Sequence, residues 1–115
     1  MTLTLRGKIP CKKSKYRRGR SGLYLDKDTS NSIDSLILQA RSQWKREPIE
    51  HPHVVVRFWC TSFRADRDGQ LATLLDVLQK AKVISNDNAA HFNGRLVIEP
   101  VHISNEPRTE VEITA

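Results

Sequence analysis

Between Val54 and Leu78 the hydrophobic pattern changes period, and that change narrows the folds open to the chain. Val54-Val55-Val56-Arg57-Phe58-Trp59 is rich in β-branched and aromatic residues, which suit a pleated, half-buried surface, so the run reads as a strand. Leu71, Leu74, Leu75 and Leu78 then fall at i, i+3, i+4 and i+7 and form one apolar stripe, as on a helix packed against a core. The residues between, Asp66-Arg67-Asp68, stand at the helix entrance with Asp68 at or near the N-cap. There a carboxylate accepts backbone N–H bonds and meets the positive end of the helix dipole.

Capping accounts for one aspartate and leaves its neighbour. Residues two apart in an extended lead-in point to the same side, and like charges so placed repel unless a cation offsets them. Arg67 points the other way in that geometry, so a divalent metal held by oxygen ligands is the better partner. Asp87 supplies a third carboxylate if it can reach. A helix from about Asp68 to Ala81 is ~20 Å long. The stretch from Ala81 to Asp87 spans at most ~20 Å when extended, so a return within one subunit is only just possible. Otherwise Asp87 completes a site across a dimer interface, or the helix is shorter. A plainer account treats the aspartates as caps and turn formers in a basic binding module.

The basic character of the chain is local. Arg6, Lys8, Lys12, Lys13, Lys15, Arg17, Arg18 and Arg20 lie in one stretch that holds no acid. Removing those eight from the 19 Lys and Arg leaves 11 against 13 Asp and Glu, so the net charge of +6 belongs to this segment. Read as a loop at about 6–22, punctuated by Gly19 and Gly22 and interleaved with Tyr16, it suits a track along phosphates, each of which releases a counterion when neutralised. The candidate phosphate-contacting residues are Lys12, Lys13, Lys15, Arg17, Arg18 and Arg20, and on charge pattern alone DNA, RNA and an anionic membrane surface are equally open as partner. A solvated N-terminal arm without a partner is the bland alternative.

The remainder is organised as one domain, since 115 residues support a single core. Ile33, Leu36, Ile37, Ala40 and Trp44 form one face of a first helix capped by Ser30 or Asn31 and stopped by Pro48. Trp44 is expected in the core rather than as a base-stacking platform, because it falls on that stripe. His51-Pro52-His53 is expected to be a loop entering a strand, for no cysteine or carboxylate cluster completes a zinc spacing. His91 follows Asp87 closely and is either an ordinary surface residue or a proton or phosphate contact. Asp76, more than two turns on from Asp68, is expected to be structural or paired with Lys80 at i+4. Two strands, from Arg95 to Ile103 and from Thr109 to Ile113, close the sheet around a turn at Ser104-Asn105-Glu106-Pro107. Met1 to Leu5 alternates like a strand and no long apolar run follows, so neither export nor a membrane span is expected. Cys11 and Cys60 read as thiols of a reducing cytosol. The order strand, helix, strand, helix, strand, strand gives an α+β domain, a mixed β-sheet with two helices packed on one side.

The run Asp66-Arg67-Asp68-Gly69, then Leu74-Leu75-Asp76-Val77-Leu78, then Ala81-Lys82-Val83-Ile84-Ser85-Asn86-Asp87 resembles the signature of the RusA family of Holliday-junction resolvases. The opening Leu3-Thr4-Leu5-Arg6-Gly7-Lys8-Ile9-Pro10, followed by basic residues, is also similar to how members of that family begin, so the likeness covers nearly the whole chain. Ala72 stands where the family often has a lysine, Gly69 where it has Asn, and Asn86 where it has the first Asp of a closing pair. The resemblance implies a RusA-like fold with Asp66, Asp68 and Asp87 as catalytic residues binding Mg²⁺, or Mn²⁺ in its place. It further implies an endodeoxyribonuclease that resolves four-way DNA junctions in recombination and repair, acting as a homodimer in a bacterial or phage-encoded cytoplasmic setting. The alternative is a degenerate member that keeps the fold and binds nucleic acid without cutting it.

Overall fold

A computed structural model of the protein describes residues 2–11, 16–19, 22–61, 67–85 and 96–114, with the backbone alone at 16–18 and 24. The elements in order are β1 (Thr2–Arg6), β2 (Tyr16–Gly19), β3 (Gly22–Leu25), α1 (Lys27–Gln43), β4 (His53–Cys60), α2 (Arg67–Lys80), β5 (Leu96–Ile98), β6 (His102–Ile103) and β7 (Arg108–Thr114). The last strand, β7, lies between β1 and β4 and is antiparallel to both. On the other side of β4, β5 and then β6 run parallel to it, pairing Val54 with Leu96 and Trp59 with His102. The result is a mixed sheet in a single α+β domain.

Alternation along the strands decides which face of this sheet is covered. Leu3 and Leu5 of β1, Val54, Val56 and Phe58 of β4, and Val111 and Ile113 of β7 are buried, and the residues between them are half-buried or exposed. Against that one face pack Ile33, Leu36 and Ala40 of α1, Trp44 just beyond it, and Leu74, Leu75, Val77 and Leu78 of α2. Trp44 is therefore a core residue, as its place on the stripe predicts, with its indole N–H donating to the Glu47 carbonyl at 3.3 Å.

Three boundaries differ from the sequence reading. Helix α1 starts at Lys27, one turn before the expected caps, because the Asp26 carboxylate accepts the Asp28 N–H at 3.0 Å and the added turn buries Thr29. The strand expected over 95–103 is interrupted at Glu99-Pro100-Val101. Proline has no N–H for the ladder, and the strand lies at a sheet edge, where such a break is tolerated. Pairing to β4 continues into the gap through Glu99 N to Val56 O at 3.0 Å, and beyond β6 through Ser104 N to Cys60 O at 2.8 Å. The segment expected as a loop at about 6–22 contains the strand β2, which pairs with β3 in a hairpin that runs on to Leu25, where a short strand over Leu23–Leu25 is expected; the pair Gly19 and Gly22 closes it, with Gly22 at a φ of 109° that a side chain would disfavour.

The free edge of β1 is sealed from within the chain. The Gln43 amide accepts from Thr4 N at 2.8 Å and donates to Thr4 O at 2.7 Å, and Gln39 does the same at Arg6, at 2.7 and 3.1 Å. The match is geometric: four residues of helix rise ~6 Å and two residues of strand ~6.6 Å, so glutamines at i and i+4 meet successive outward-facing peptides. A strand edge left open would template pairing with other chains. Gln39→Ala/Gln43→Ala is expected to cost about 2–3 kcal/mol in urea unfolding and to raise aggregation in light scattering.

Helix α2 ends in a tight reversal. Lys82 has φ 61°, with its N–H bonded to Gln79 O at 3.0 Å and the next N–H, of Val83, bonded to Leu78 O at 2.9 Å. This is a Schellman end, with Leu78 and Val83 both buried beneath it. The chain then forms a parallel bridge between Ile84 and Ile49, with Ser85 N bonded to Ile49 O at 3.1 Å. A left-handed lysine is strained where glycine is not, so Lys82→Gly is expected to stabilise the protein by about 1 kcal/mol, read as a higher urea midpoint at unchanged slope.

Candidate active site

Asp68 is the one member of the expected carboxylate triad among the described residues; Asp66 and Asp87 lie outside them, as do Asn86 and His91. It sits in the first turn of α2 rather than at its cap, exposed, where the helix dipole favours an anion. Gly69 is buried against the core and Ala72, one turn on from Asp68, is exposed. Three carboxylates are hard oxygen donors of the kind Mg²⁺ takes, but among the described residues no three His, Cys, Asp or Glu come together.

What fixes this first turn is Gln70, a residue that apolar patterning does not find. It is 1 % exposed and satisfied on both sides, its amide N–H donating to the Ile9 carbonyl at 2.8 Å and its oxygen accepting from the Arg67 guanidinium. Arg67 in turn lies over the Phe58 ring, 5.8 Å from its centroid. A strand residue, a helix residue and the segment after β1 are thereby joined under Asp68. Ile9 is also the root of the basic segment, which leaves β1 through Gly7, at φ 97° and bonded to Pro107 O at 2.9 Å. The start of that segment is thus docked on the turn that carries Asp68. Of the candidate DNA contacts, Arg17 and Arg18 belong to β2, with only their backbone described, and Lys12, Lys13, Lys15 and Arg20 lie outside the described residues.

Ala72 stands where the RusA family often has a lysine, and three cations that could take its place, Arg67, Lys80 and Lys82, divide by position. Lys80 is paired with Asp76 at 3.2 Å, as the i+4 spacing predicts, and stands twelve residues beyond Asp68, ~18 Å along the helix. Lys82 is farther still. Arg67 alone of the three is beside Asp68.

The open face of the sheet is a different kind of surface. Arg57 donates to Glu99 at 2.9 Å and Glu112 at 3.0 Å, which hold its pKa above the ordinary value, Glu112 most strongly. Trp59 is stacked on His102 at 5.0 Å from the β6 side and covered by Arg108 at 4.3 Å from the β7 side. Trp59 thus packs against its neighbours on both adjacent strands, and Arg57 is paired with two carboxylates. His51 and Pro52 lead into β4, which begins at His53. Among the described residues no helix is long and apolar enough to cross a membrane. No family model matches the chain, and no curated protein matches it.

Proposed function

We propose that the protein is a RusA-like, Mg²⁺-dependent endodeoxyribonuclease that cuts four-way DNA junctions, a homodimer serving recombination and repair in a bacterial or phage-encoded cytoplasmic setting. The observation that carries the reading is the Gln70 bridge, because it couples the root of the basic segment to the turn bearing Asp68. A phosphodiester is anionic and hydrolyses slowly, so its cleavage needs carboxylates for a metal and cations for the strand within one footprint.

In this reading Asp66, Asp68 and Asp87 hold Mg²⁺, which when bound offsets the charge gathering on the phosphoryl oxygens. Lys12, Lys13, Lys15, Arg17, Arg18 and Arg20 hold the junction's backbone by shape rather than sequence. Arg67, fixed by Gln70 and Phe58, is the cation best situated to steady the phosphate. Asp87 follows Ser85 by two residues, and Ser85 is bonded to Ile49 near the C-terminal end of α2. Asp87 therefore joins the pair either by the chain running back along α2 or from the partner subunit of a dimer. A four-way junction is two-fold symmetric, and a two-fold dimer offers two sites for paired cuts.

The test is strand cleavage of a synthetic four-way junction beside a matched linear duplex, with and without Mg²⁺. Paired, Mg²⁺-dependent nicks confined to the junction are expected. Tight binding with no cleavage in either Mg²⁺ or Mn²⁺ would replace this reading with the non-cutting module that Ala72, Gly69 and Asn86 suggest.

A further inference from the structure

Between the end of β1 and the second and third turns of α1 the surface opens into a groove of about 330 Å³, lined by Arg6, Gly7, Lys8, Asn31, Ser32, Ser35 and Leu36. Its lining carries two cations and no acid. Asn31, Ser32 and Ser35 add uncharged donors, since an amide and a hydroxyl can each donate, and buried Leu36 forms the floor. Cations with neutral donors beside them suit an oxyanion of the phosphate type. The groove's position says which one. Lys8 precedes Ile9, whose carbonyl is held by Gln70 beside Asp68, and α1 itself follows directly from the β2–β3 hairpin of the basic segment.

We propose that this groove seats a backbone phosphate of the bound DNA, with Arg6 and Lys8 supplying charge and Asn31, Ser32 and Ser35 supplying neutral hydrogen bonds. The assignment rests on the reading of the protein as a DNA-binding nuclease and extends its footprint to a face of α1 that the charge pattern alone does not mark. The groove is linked to the turn bearing Asp68 through Lys8 and Ile9 and to the hairpin through α1, which is how a strand held by the basic segment would reach it.

Ser32 is the place to test it. It is exposed and mid-helix, so replacing it disturbs no core, and glutamate and lysine are both better helix formers than serine. Binding of a fluorescent four-way junction by the full-length protein is measured by anisotropy across a series of NaCl concentrations, without divalent metal so that cleavage does not intervene. Ser32→Glu is expected to weaken binding about tenfold and Ser32→Lys to tighten it, while Lys8→Ala lowers the slope of log affinity against log salt by about 0.9. Circular dichroism confirms that each variant folds. If the native protein binds the junction and both Ser32 variants bind it equally well with the native slope, the groove assignment is overturned and the nuclease reading stands. If the native protein does not bind the junction, the nuclease reading falls and the groove assignment with it.

Discussion

Asp68→Asn is expected to leave a four-way junction bound and uncut. Asparagine keeps the size of the side chain and a carbonyl oxygen for local hydrogen bonds, but it removes the negative charge that a hard cation requires. A metal contributes several kcal/mol of charge stabilisation to such a reaction. Its loss is therefore expected to slow cleavage on the order of 10³-fold, with junction affinity changed little because the cations that bind the backbone are untouched. An aspartate that served only the helix would behave otherwise. Asp68 is in the first turn and exposed, so its interaction with the dipole is worth about 0.3–1 kcal/mol, and Asn would shift the unfolding midpoint slightly without touching rate. Mixing Asp68→Asn with Asp87→Asn protomers then decides how the triad is assembled. If Asp87 acts across a dimer, each mixed dimer keeps one intact site and nicks one strand. If all three aspartates come from one chain, every site in the mixture is broken and no nicking returns.

The fold was legible wherever a segment could be judged by its own period. Val54 to Trp59 reads as a strand and β4 extends it by one residue at each end; the leucine stripe reads as a helix and α2 follows it closely. Less legible were boundaries at which several residues have equal local merit. Asp26, Ser30 and Asn31 are all good caps, and the choice of Asp26 follows from burial of Thr29, which depends on the sheet packed beneath α1. Pairing over long range was not legible at all. Gln39 and Gln43 are unremarkable on a helix until β1 is laid beside them, 33 and 39 residues away in sequence.

The site divides in the same way. Asp68 could be assigned to a helix entrance from its neighbours alone, whereas Gln70, which organises that entrance, is a polar residue on the buried side and is passed over when only apolar residues are counted. The available signal was its spacing, four residues before Leu74 and eight before Leu78 on the same face. Its partner, the Ile9 carbonyl, belongs to a segment 61 residues earlier, and nothing local to either points to the other.

The largest stability effect is expected at Phe58, where core and candidate site share one side chain. Its ring is 1 % exposed, in the central strand β4, opposite Thr109 of β7. Phe58→Ala removes that burial and leaves a cavity, at a cost of about 3–5 kcal/mol. A domain of this kind has only about 5–15 kcal/mol in all, so the melting temperature should fall by roughly 10–20 °C. Activity lost in that variant would say little, since an unfolded fraction cuts nothing. Phe58→Leu separates the two roles: it fills most of the space, costs about 1 kcal/mol, and takes away the aromatic face on which Arg67 rests. Cleavage by a folded Phe58→Leu protein is expected to fall while junction binding holds, because a guanidinium without its platform is less well directed toward a phosphate beside Asp68. Native cleavage in that variant would instead assign the ring to packing alone.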